Sequence, residues 1–357
     1  MTRRVLILAG GTGGHIYPAL AVADCLRGKG VDLAWLGSAH GMEGRIVPAH
    51  GIPMARIPVA GLRGRGALGW LLAPWRVFAA TCRAVAAVLR IRPGVVLGMG
   101  GFVSGPGGVA AWLCRRPLVI HEQNAIPGLT NALLARIATR VLEGYPGAFV
   151  PARHAVPTGN PVRADIAALP APCERLAGRT GLRVLVFGGS RGARRLNVVL
   201  PLALGLLAVP GLEVRHQCGR DDVDATRAAY AEQRIEARVE AFIEDMAAAY
   251  AWADLVICRA GAITVAELAA AGAASILVPF PHAVDDHQTA NARYLADAGA
   301  ARLVPECDLE PQALRAIIAA LATDRAALVA MASRARALAR PDATAAVAGH
   351  CLALFDA

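Results

Sequence analysis

Leu6-Ile7-Leu8-Ala9-Gly10-Gly11-Thr12-Gly13-Gly14-His15 lies near the start of the chain, and Val184-Leu185-Val186-Phe187-Gly188-Gly189-Ser190-Arg191-Gly192-Ala193 repeats its plan in the middle. Each stretch is four apolar residues, Gly-Gly, a hydroxyl residue and a further glycine, and each runs into a helical pattern. A buried strand that turns through glycines into a helix leaves free N–H groups and a positive dipole end facing open space. One such turn is a weak signal. Two, one in each half, predict two α/β domains facing each other across a cleft sized for a sugar nucleotide. A tight turn with no ligand is the alternative reading of each.

Outward from these stretches, short strands alternate with helices, as in a parallel Rossmann-type sheet with ligands at the strand carboxyl ends. In the first half the expected strands are Val5–Ala9, Val31–Leu36, Val95–Leu97 and Leu118–Ile120, with a helix over Pro18 to Leu26. Prolines 146, 151, 157, 161, 170 and 172 mark a linker. The alternation restarts with strands Arg183–Phe187, Glu213–His216, Leu255–Cys258 and Ala274–Val278 and a helix from about Ala193. Pro341-Asp342 breaks the chain before a last helical segment, Ala343 to Leu354, which suits either domain.

Composition narrows the function. The 357 residues are ample for two cores, and 55% hydrophobic content excludes a disordered chain. Lys29 is the sole lysine, so there is no Gly-Lys-Ser/Thr phosphate loop, and Lys29 lies in a Gly28-Lys29-Gly30 turn unsuited to a Schiff base. The net charge of +10, nearly all guanidinium, favours an acidic partner. Nucleic acid is the weakest such partner, because the arginines are scattered and aromatics are 5% of the chain. The eight cysteines form no Cys-x-x-Cys pair and read as mostly buried thiols of a reducing compartment. Arg3-Arg4 with Val5 to Ala9 imitates a signal peptide but is too short. Pro93 to Cys114 is long enough to span a bilayer, yet its glycines predict strand, loop and helix instead.

Other blocks carry chemistry. Gly11-Thr12-Gly13 lacks the third glycine of a dinucleotide fingerprint, since Ile16 stands there, so NAD is disfavoured. His121-Glu122-Gln123-Asn124 follows an apolar strand; it is not a zinc motif, and its polar residues face a ligand or cap the next element. Arg163, in Asn160-Pro161-Val162-Arg163, suits a diphosphate or a hinge surface. Cys258 to Glu267 is strand, glycine turn and helix, with Glu267 placed for ribose hydroxyls or for the helix dipole. Leu68, Leu71, Leu72, Trp75, Phe78, Ala79, Cys82, Val85, Ala86 and Leu89 recur at helical spacing among Arg63, Arg65, Arg76, Arg83 and Arg90. They form either a core helix with solvated arginines or a surface that enters anionic lipid.

In order along the chain, Leu8 to His15, Gly98 to Pro106, His121 to Asn124, Gly159 to Arg163, Gly188 to Ser190, Cys258 to Glu267 and Gln288-Thr289-Ala290-Asn291 closely resemble the signature blocks of the MurG family. These are the bacterial N-acetylglucosaminyltransferases that complete the lipid-linked peptidoglycan precursor. The resemblance implies a GT-B fold and no cofactor. Residues 1–160, joined by 341–357, would take the lipid acceptor and the membrane; 161–340 would take UDP-N-acetylglucosamine. The reaction would be metal-independent transfer of GlcNAc to the C4 hydroxyl of undecaprenyl-diphospho-N-acetylmuramoyl-pentapeptide, with inversion, at the cytoplasmic face of the inner membrane. Anionic lipids and other cell-wall synthesis proteins would be partners.

By motif, Thr12, Gly13 and Gly14 would face diphosphates, and Asn124, Arg163 and Ser190 would line the cleft. Ile243 would meet uracil, Glu267 the ribose, and Gln288 and Asn291 the sugar. Ala262, Ile263, Thr264, Val265 and Ala266 would bring a helix N-terminus to the α-phosphate. Leu71, Trp75, Phe78 and Trp112 match the family's apolar patch. Arg191 replaces a common glutamine, Phe102 a common tyrosine, and Thr81 interrupts the apolar face. Inversion needs a base beside the acceptor hydroxyl, for which His15 and Glu122 compete. A UDP-sugar epimerase of related fold is the alternative; it would share the donor site without a lipid surface.

Overall fold

The computed structural model describes residues 3–38, 41–58, 73–189 and 192–355. Ser190, Arg191, Arg63, Arg65, Leu68, Leu71 and Leu72 lie outside them. The chain divides into two compact units, Met1–Arg163 with Asp342–Ala357, and Ala164–Pro341.

The first unit holds β1 (Arg4–Leu8), β2 (Asp32–Ser38), β3 (Met54–Ile57), β4 (Val95–Gly98), β5 (Leu118–Glu122), β6 (Arg140–Glu143) and β7 (Val156–Pro157). They form a parallel sheet in the order β3-β2-β1-β4-β5-β6-β7. The second holds β8 (Leu182–Phe187), β9 (Leu212–Gln217), β10 (Ala237–Glu240), β11 (Leu255–Cys258), β12 (Ala274–Leu277) and β13 (Ala301–Leu303), in the order β10-β9-β8-β11-β12-β13. In each sheet the strand order reverses beside the first strand, with Val5 paired to both Leu33 and Val95, and Val184 to both Val214 and Leu255. Open parallel sheets bind ligands at this reversal, beyond the strand carboxyl ends. Both glycine stretches emerge there.

The central strands are apolar because helices cover both faces; Val5 to Leu8 and Val184 to Val186 have no exposed surface. β5 is longer than its apolar run, so His121 and Glu122 belong to the strand and are buried, not in the loop after it. The helix after β1 spans Gly13–Gly28, with Pro18 inside it. As the sixth helical residue, Pro18 leaves the Gly14 carbonyl without its i→i−4 donor. The last helix, Ala343–Leu352, packs on Gly13–Gly28, and Val347, Ala348 and Cys351 complete the first unit's core. Arg140 donates to His350 Nδ1 at 2.9 Å on the same side. The cysteine expectation is corrected: Cys218, Cys258 and Cys351 are buried, whereas Cys82, Cys173 and Cys307 are exposed.

The helix Ala73–Ile91 has two faces of different kinds. Small residues (Ala80, Ala84, Ala87, with Val88) pack inward. The bulky stripe points out: Trp75 is 69% exposed, Phe78 57% and Leu89 59%. The core-helix alternative therefore fails for the aromatics. Trp75 and Phe78 touch, ring centres 5.7 Å apart. The neighbouring helices Ser104–Leu113 and Leu129–Leu134 add exposed Trp112, Leu113, Leu129 and Leu133. Arg76, Arg83 and Arg90 are exposed on Ala73–Ile91 itself. Among the described residues no single helix is long and apolar enough to cross a membrane.

Each unit buries a neutral histidine in a strand. Burial holds His121 down to about 4, against the hydrogen bond to Gly159 and the Glu122 charge. Burial alone holds His216 down to about 3. His216 is satisfied by Tyr230 Oη at 2.9 Å and Asn197 Oδ1 at 3.1 Å. Below the ordinary value of 6.5 the unfolded chain takes up protons that the folded chain refuses, so stability drops as pH falls from 6.5 toward those values. At about pH 5 each histidine costs on the order of 2 kcal/mol. Urea titrations at about pH 7.5 and about pH 5 check this; an unchanged midpoint contradicts it.

Candidate functional site

Each unit presents one candidate site at the carboxyl ends of its strands. In the first unit the glycine stretch is held from behind. Trp35 Nε1 donates to Ala9 O at 2.8 Å, and the Gly11 N–H donates to Glu43 Oε2 at 3.1 Å. Glu43 has no exposed surface and also accepts from Ser38 N and Oγ, at 2.9 and 2.5 Å. Burial works to raise its pKa, but the hydrogen bonds from Ser38, from its own backbone and from Gly11 prevail and hold it below the usual carboxylate value. The loop after β4 presses against the same stretch: Gly101, at φ +83°, would drive any Cβ into the Gly10 carbonyl. Ser104 Oγ lies 3.0 Å from Leu8 O and 2.8 Å from Gly100 O, pinning this loop to the end of β1.

The helix that follows starts at Gly13. Its N-cap, Thr12, makes no side-chain capping bond, and its first turn carries no acid. Its leading N–H groups, those of Gly13 and Gly14 included, are open to an anion. Helices Met246–Trp252 and Arg325–Ala337, by comparison, are capped by Asp245 and Asp324. Arg163 lies over the ring of Tyr17 on the glycine-led helix, 5.6 Å from its centre.

His15 sits in that first turn, its Nδ1 3.1 Å from Gln123 Oε1. Gln123 is buried; its Nε2 donates to Met99 O at 2.9 Å and lies 3.2 Å from His121 Nδ1. His121 Nε2 is 2.9 Å from Gly159 O. Asn160 Nδ2 donates to Gln123 O at 2.9 Å and fixes the strand end.

Glu122 does different work. Its Oε1 accepts from Asn124 N and Nδ2, at 2.9 and 3.0 Å; its Oε2 accepts from Gly128 N and Asn131 Nδ2, at 3.1 and 2.9 Å. Both oxygens are engaged by the protein and the side chain is buried, so Glu122 anchors the following loop and helix. Asn124, half-buried, is held by this carboxylate at the loop surface.

In the second unit, helix Ala262–Ala271 begins after Gly261, again with no capping side chain and no acid in its first turn. Ala262, Ile263, Thr264, Val265 and Ala266 form its opening turns. Glu267 is buried and accepts from Tyr250 Oη at 3.1 Å; its charge and, above all, burial push the Cys258 thiol up. Gln288 Oε1 accepts from Phe280 N at 2.9 Å. Asn291 has no exposed surface, and its Nδ2 donates to Ala260 O at 3.2 Å. It props the glycine turn that leads into helix Ala262–Ala271. Ile243 is 2% exposed, beside exposed Phe242. Arg259 binds the Val278 and Pro279 carbonyls and Glu306, stapling the ends of β11 and β12. Gln217 Nε2 holds Gly189 O at 3.0 Å. Among the described residues no group of His, Cys, Asp and Glu is arranged to hold a metal ion.

Sequence reading did not single out Glu43, Gln217, Tyr250 or Arg259. Glu43 had a signal: an acid amid Gly37, Gly41 and the Gly10 stretch, all crowded against its side chain.

The glycosyltransferase family 28 N-terminal domain model matches residues 5–143, and the family 28 C-terminal domain model matches 183–347. A relative from Marinobacter nauticus is 55% identical over 352 residues, 98% of this chain and 97% of its own. It is named UDP-N-acetylglucosamine–N-acetylmuramyl-(pentapeptide) pyrophosphoryl-undecaprenol N-acetylglucosamine transferase. The crystal structure of Acinetobacter baumannii MurG is 42% identical, covers 98% of this chain and 99% of its own, and has a TM-score of 0.83. The chain belongs to the MurG family. Its fold is GT-B, built of two parallel-sheet α/β domains, and it is a glycosyltransferase. The glycosyltransferase of kitacinnamycin, 19% identical with a TM-score of 0.70 over 98% of this chain and 97% of its own, shares the fold.

The Glu122 geometry makes a prediction that separates it from MurG-family chemistry. Glu122→Gln puts an NH2 group among donors and should destabilise the chain by about 1–3 kcal/mol in urea unfolding. Turnover per folded molecule should persist. A fully stable but inactive Glu122→Gln would return the carboxylate to the chemistry.

Proposed function

We propose that the chain transfers N-acetylglucosamine from UDP-N-acetylglucosamine to the C4 hydroxyl of undecaprenyl-diphospho-N-acetylmuramoyl-pentapeptide, with inversion. The observation that carries this is the 55% identity, over 98% of the chain, with a transferase named for that reaction. No observation favours the epimerase alternative. The first unit takes the lipid-linked acceptor, and the second takes the nucleotide sugar.

The chemistry is one in-line displacement. The acceptor oxygen attacks the anomeric carbon, the bond from that carbon to the UDP oxygen breaks, and UDP leaves with the electron pair. The acceptor hydroxyl loses its proton to His15, at the mouth of the glycine stretch, and the proton passes on to water. Negative charge on the diphosphates is met by uncapped helix N-termini: Thr12, Gly13 and Gly14 in the first unit, Ala262 to Ala266 in the second. Arg163 adds a guanidinium, and Asn124 and Ser190 add polar contacts. Glu267, oriented by Tyr250, accepts from the ribose hydroxyls, and Gln288 meets the sugar.

A transfer assay with labelled UDP-N-acetylglucosamine and lipid-linked muramoyl acceptor tests the reading; the β-linked disaccharide is expected. UDP-N-acetylmannosamine formed without acceptor would make it an epimerase. His15→Ala should lower kcat by roughly 10²–10⁴-fold with donor affinity nearly intact. Near-normal turnover would remove His15 from the base position.

The exposed Trp75, Phe78 and Trp112, with Arg76 and Arg83 beside them, support a peripheral seat on the cytoplasmic leaflet, where the acceptor's lipid tail is anchored. Aromatic insertion and charge both contribute, the latter at about 1 kcal/mol per basic residue near an anionic surface. Trp75→Ser with Phe78→Ser should weaken sedimentation with anionic vesicles while a short-chain soluble acceptor is still turned over. Unchanged sedimentation, indifferent to anionic lipid, would rule this face out.

A further inference from the structure

We infer that Gln123 is a positioning residue that fixes the proton of neutral His15 on Nδ1 and so leaves Nε2 bare as the proton acceptor. The inference rests on the reading of His15 as the base and deepens it.

The argument starts from two carbonyls that can only accept. Met99 O lies 2.9 Å from one end of the Gln123 amide, so that end is the NH2 and donates. The other end, Oε1, therefore faces His15 Nδ1, 3.1 Å away. An amide oxygen has no proton to give, so the proton of that contact belongs to Nδ1. Gly159 O, 2.9 Å from His121 Nε2, sets the second ring in the same way. His121 carries its proton on Nε2 and offers Nδ1 to the Gln123 NH2 at 3.2 Å. The chain Gly159–His121–Gln123–His15 thus has one polarity throughout, and a reversed Gln123 would set its oxygen against Met99 O and the bare His121 Nδ1. Burial keeps His121 neutral, which preserves this polarity at neutral pH. Gln123 and His121 are themselves buried, so water does not compete for these contacts.

The backbone of the loop after β4 flanks the ring. His15 packs on the backbone of Gly100, at φ +100°, where a Cβ would lie 2.6 Å from Nδ1. Gly100 on one side and Gln123 at Nδ1 hold the imidazole in one place. When the acceptor proton arrives at Nε2, the Nδ1–H bond to Oε1 persists and steadies the imidazolium until the proton leaves to water. A free imidazole splits its proton between the two nitrogens; here the unproductive form is removed before substrate binds.

The test is nitrogen NMR of the full chain labelled with ¹⁵N-histidine, with His15 assigned from the His15→Ala spectrum. The two nitrogens of a neutral ring have well-separated shifts, and the parent should show His15 protonated on Nδ1. Gln123→Leu should lose that preference and lower kcat roughly ten- to a hundredfold, with the donor KM little changed. Gln123→Glu, which keeps an acceptor before Nδ1, should retain the Nδ1–H form. A parent ring protonated on Nε2 overturns the inference without any Gln123 variant. So does a Gln123→Leu ring that stays Nδ1–H. If Gln123→Leu shifts the tautomer with normal kcat while His15→Ala is inactive, Gln123 positions nothing that transfer needs. If His15→Ala is active too, it is the base assignment that has failed.

Discussion

Two helices in this chain, Gly13–Gly28 and Ala262–Ala271, follow directly on glycine turns at the carboxyl ends of central strands. Asp245 and Asp324 close the first turns of two other helices with their side chains. Neither Gly13–Gly28 nor Ala262–Ala271 has a capping side chain or an acid in its first turn, and the surrounding structure holds the glycine turn that leads into each. Glycines let the chain turn tightly enough to aim the N–H groups. Groups behind each turn stabilise it: Trp35 and Glu43 in the first unit, Asn291 in the second. The glycine turns have their shape through these residues.

This division of labour explains what the sequence discloses. Central strands such as Val184 to Phe187 are apolar on both faces and were legible as runs. β3, β10 and β13 are edge strands, and their exposed sides carry Arg56, Arg238 and Arg302, which dilutes the apolar signal. The glycine stretches were legible because glycine, a hydroxyl residue and a helix leave a local signature. The supports were not, because Glu43 and Gly11 meet only after the chain has folded across β2. Glu122 shows the reverse case. A carboxylate next to a strand end reads as chemistry, but four donors converge on it from residues 124, 128 and 131. Spacing cannot reveal that saturation.

The helix Ala73–Ile91 was ambiguous for a physical reason. Its inward face is alanine, chosen for close helix packing, while its outward face carries the large residues. Periodicity finds the larger side chains and reports them as core. Burial inverts the assignment, since a hydrophobic stripe on a soluble surface must answer to something other than the protein interior.

The return of Ala343–Leu352 to the first unit has a consequence for the order in which the chain matures on the ribosome. The second unit is one continuous stretch, Ala164–Pro341, whereas the first is interrupted by it. During synthesis the first unit's sheet emerges early but lacks Val347, Ala348 and Cys351, which fill its core beside Ile16, Leu20 and Leu142. The usual amino-to-carboxyl sequence of domain completion is thereby reversed. The second unit can close while the first still waits, its helix Gly13–Gly28 uncovered, for the last residues to be made.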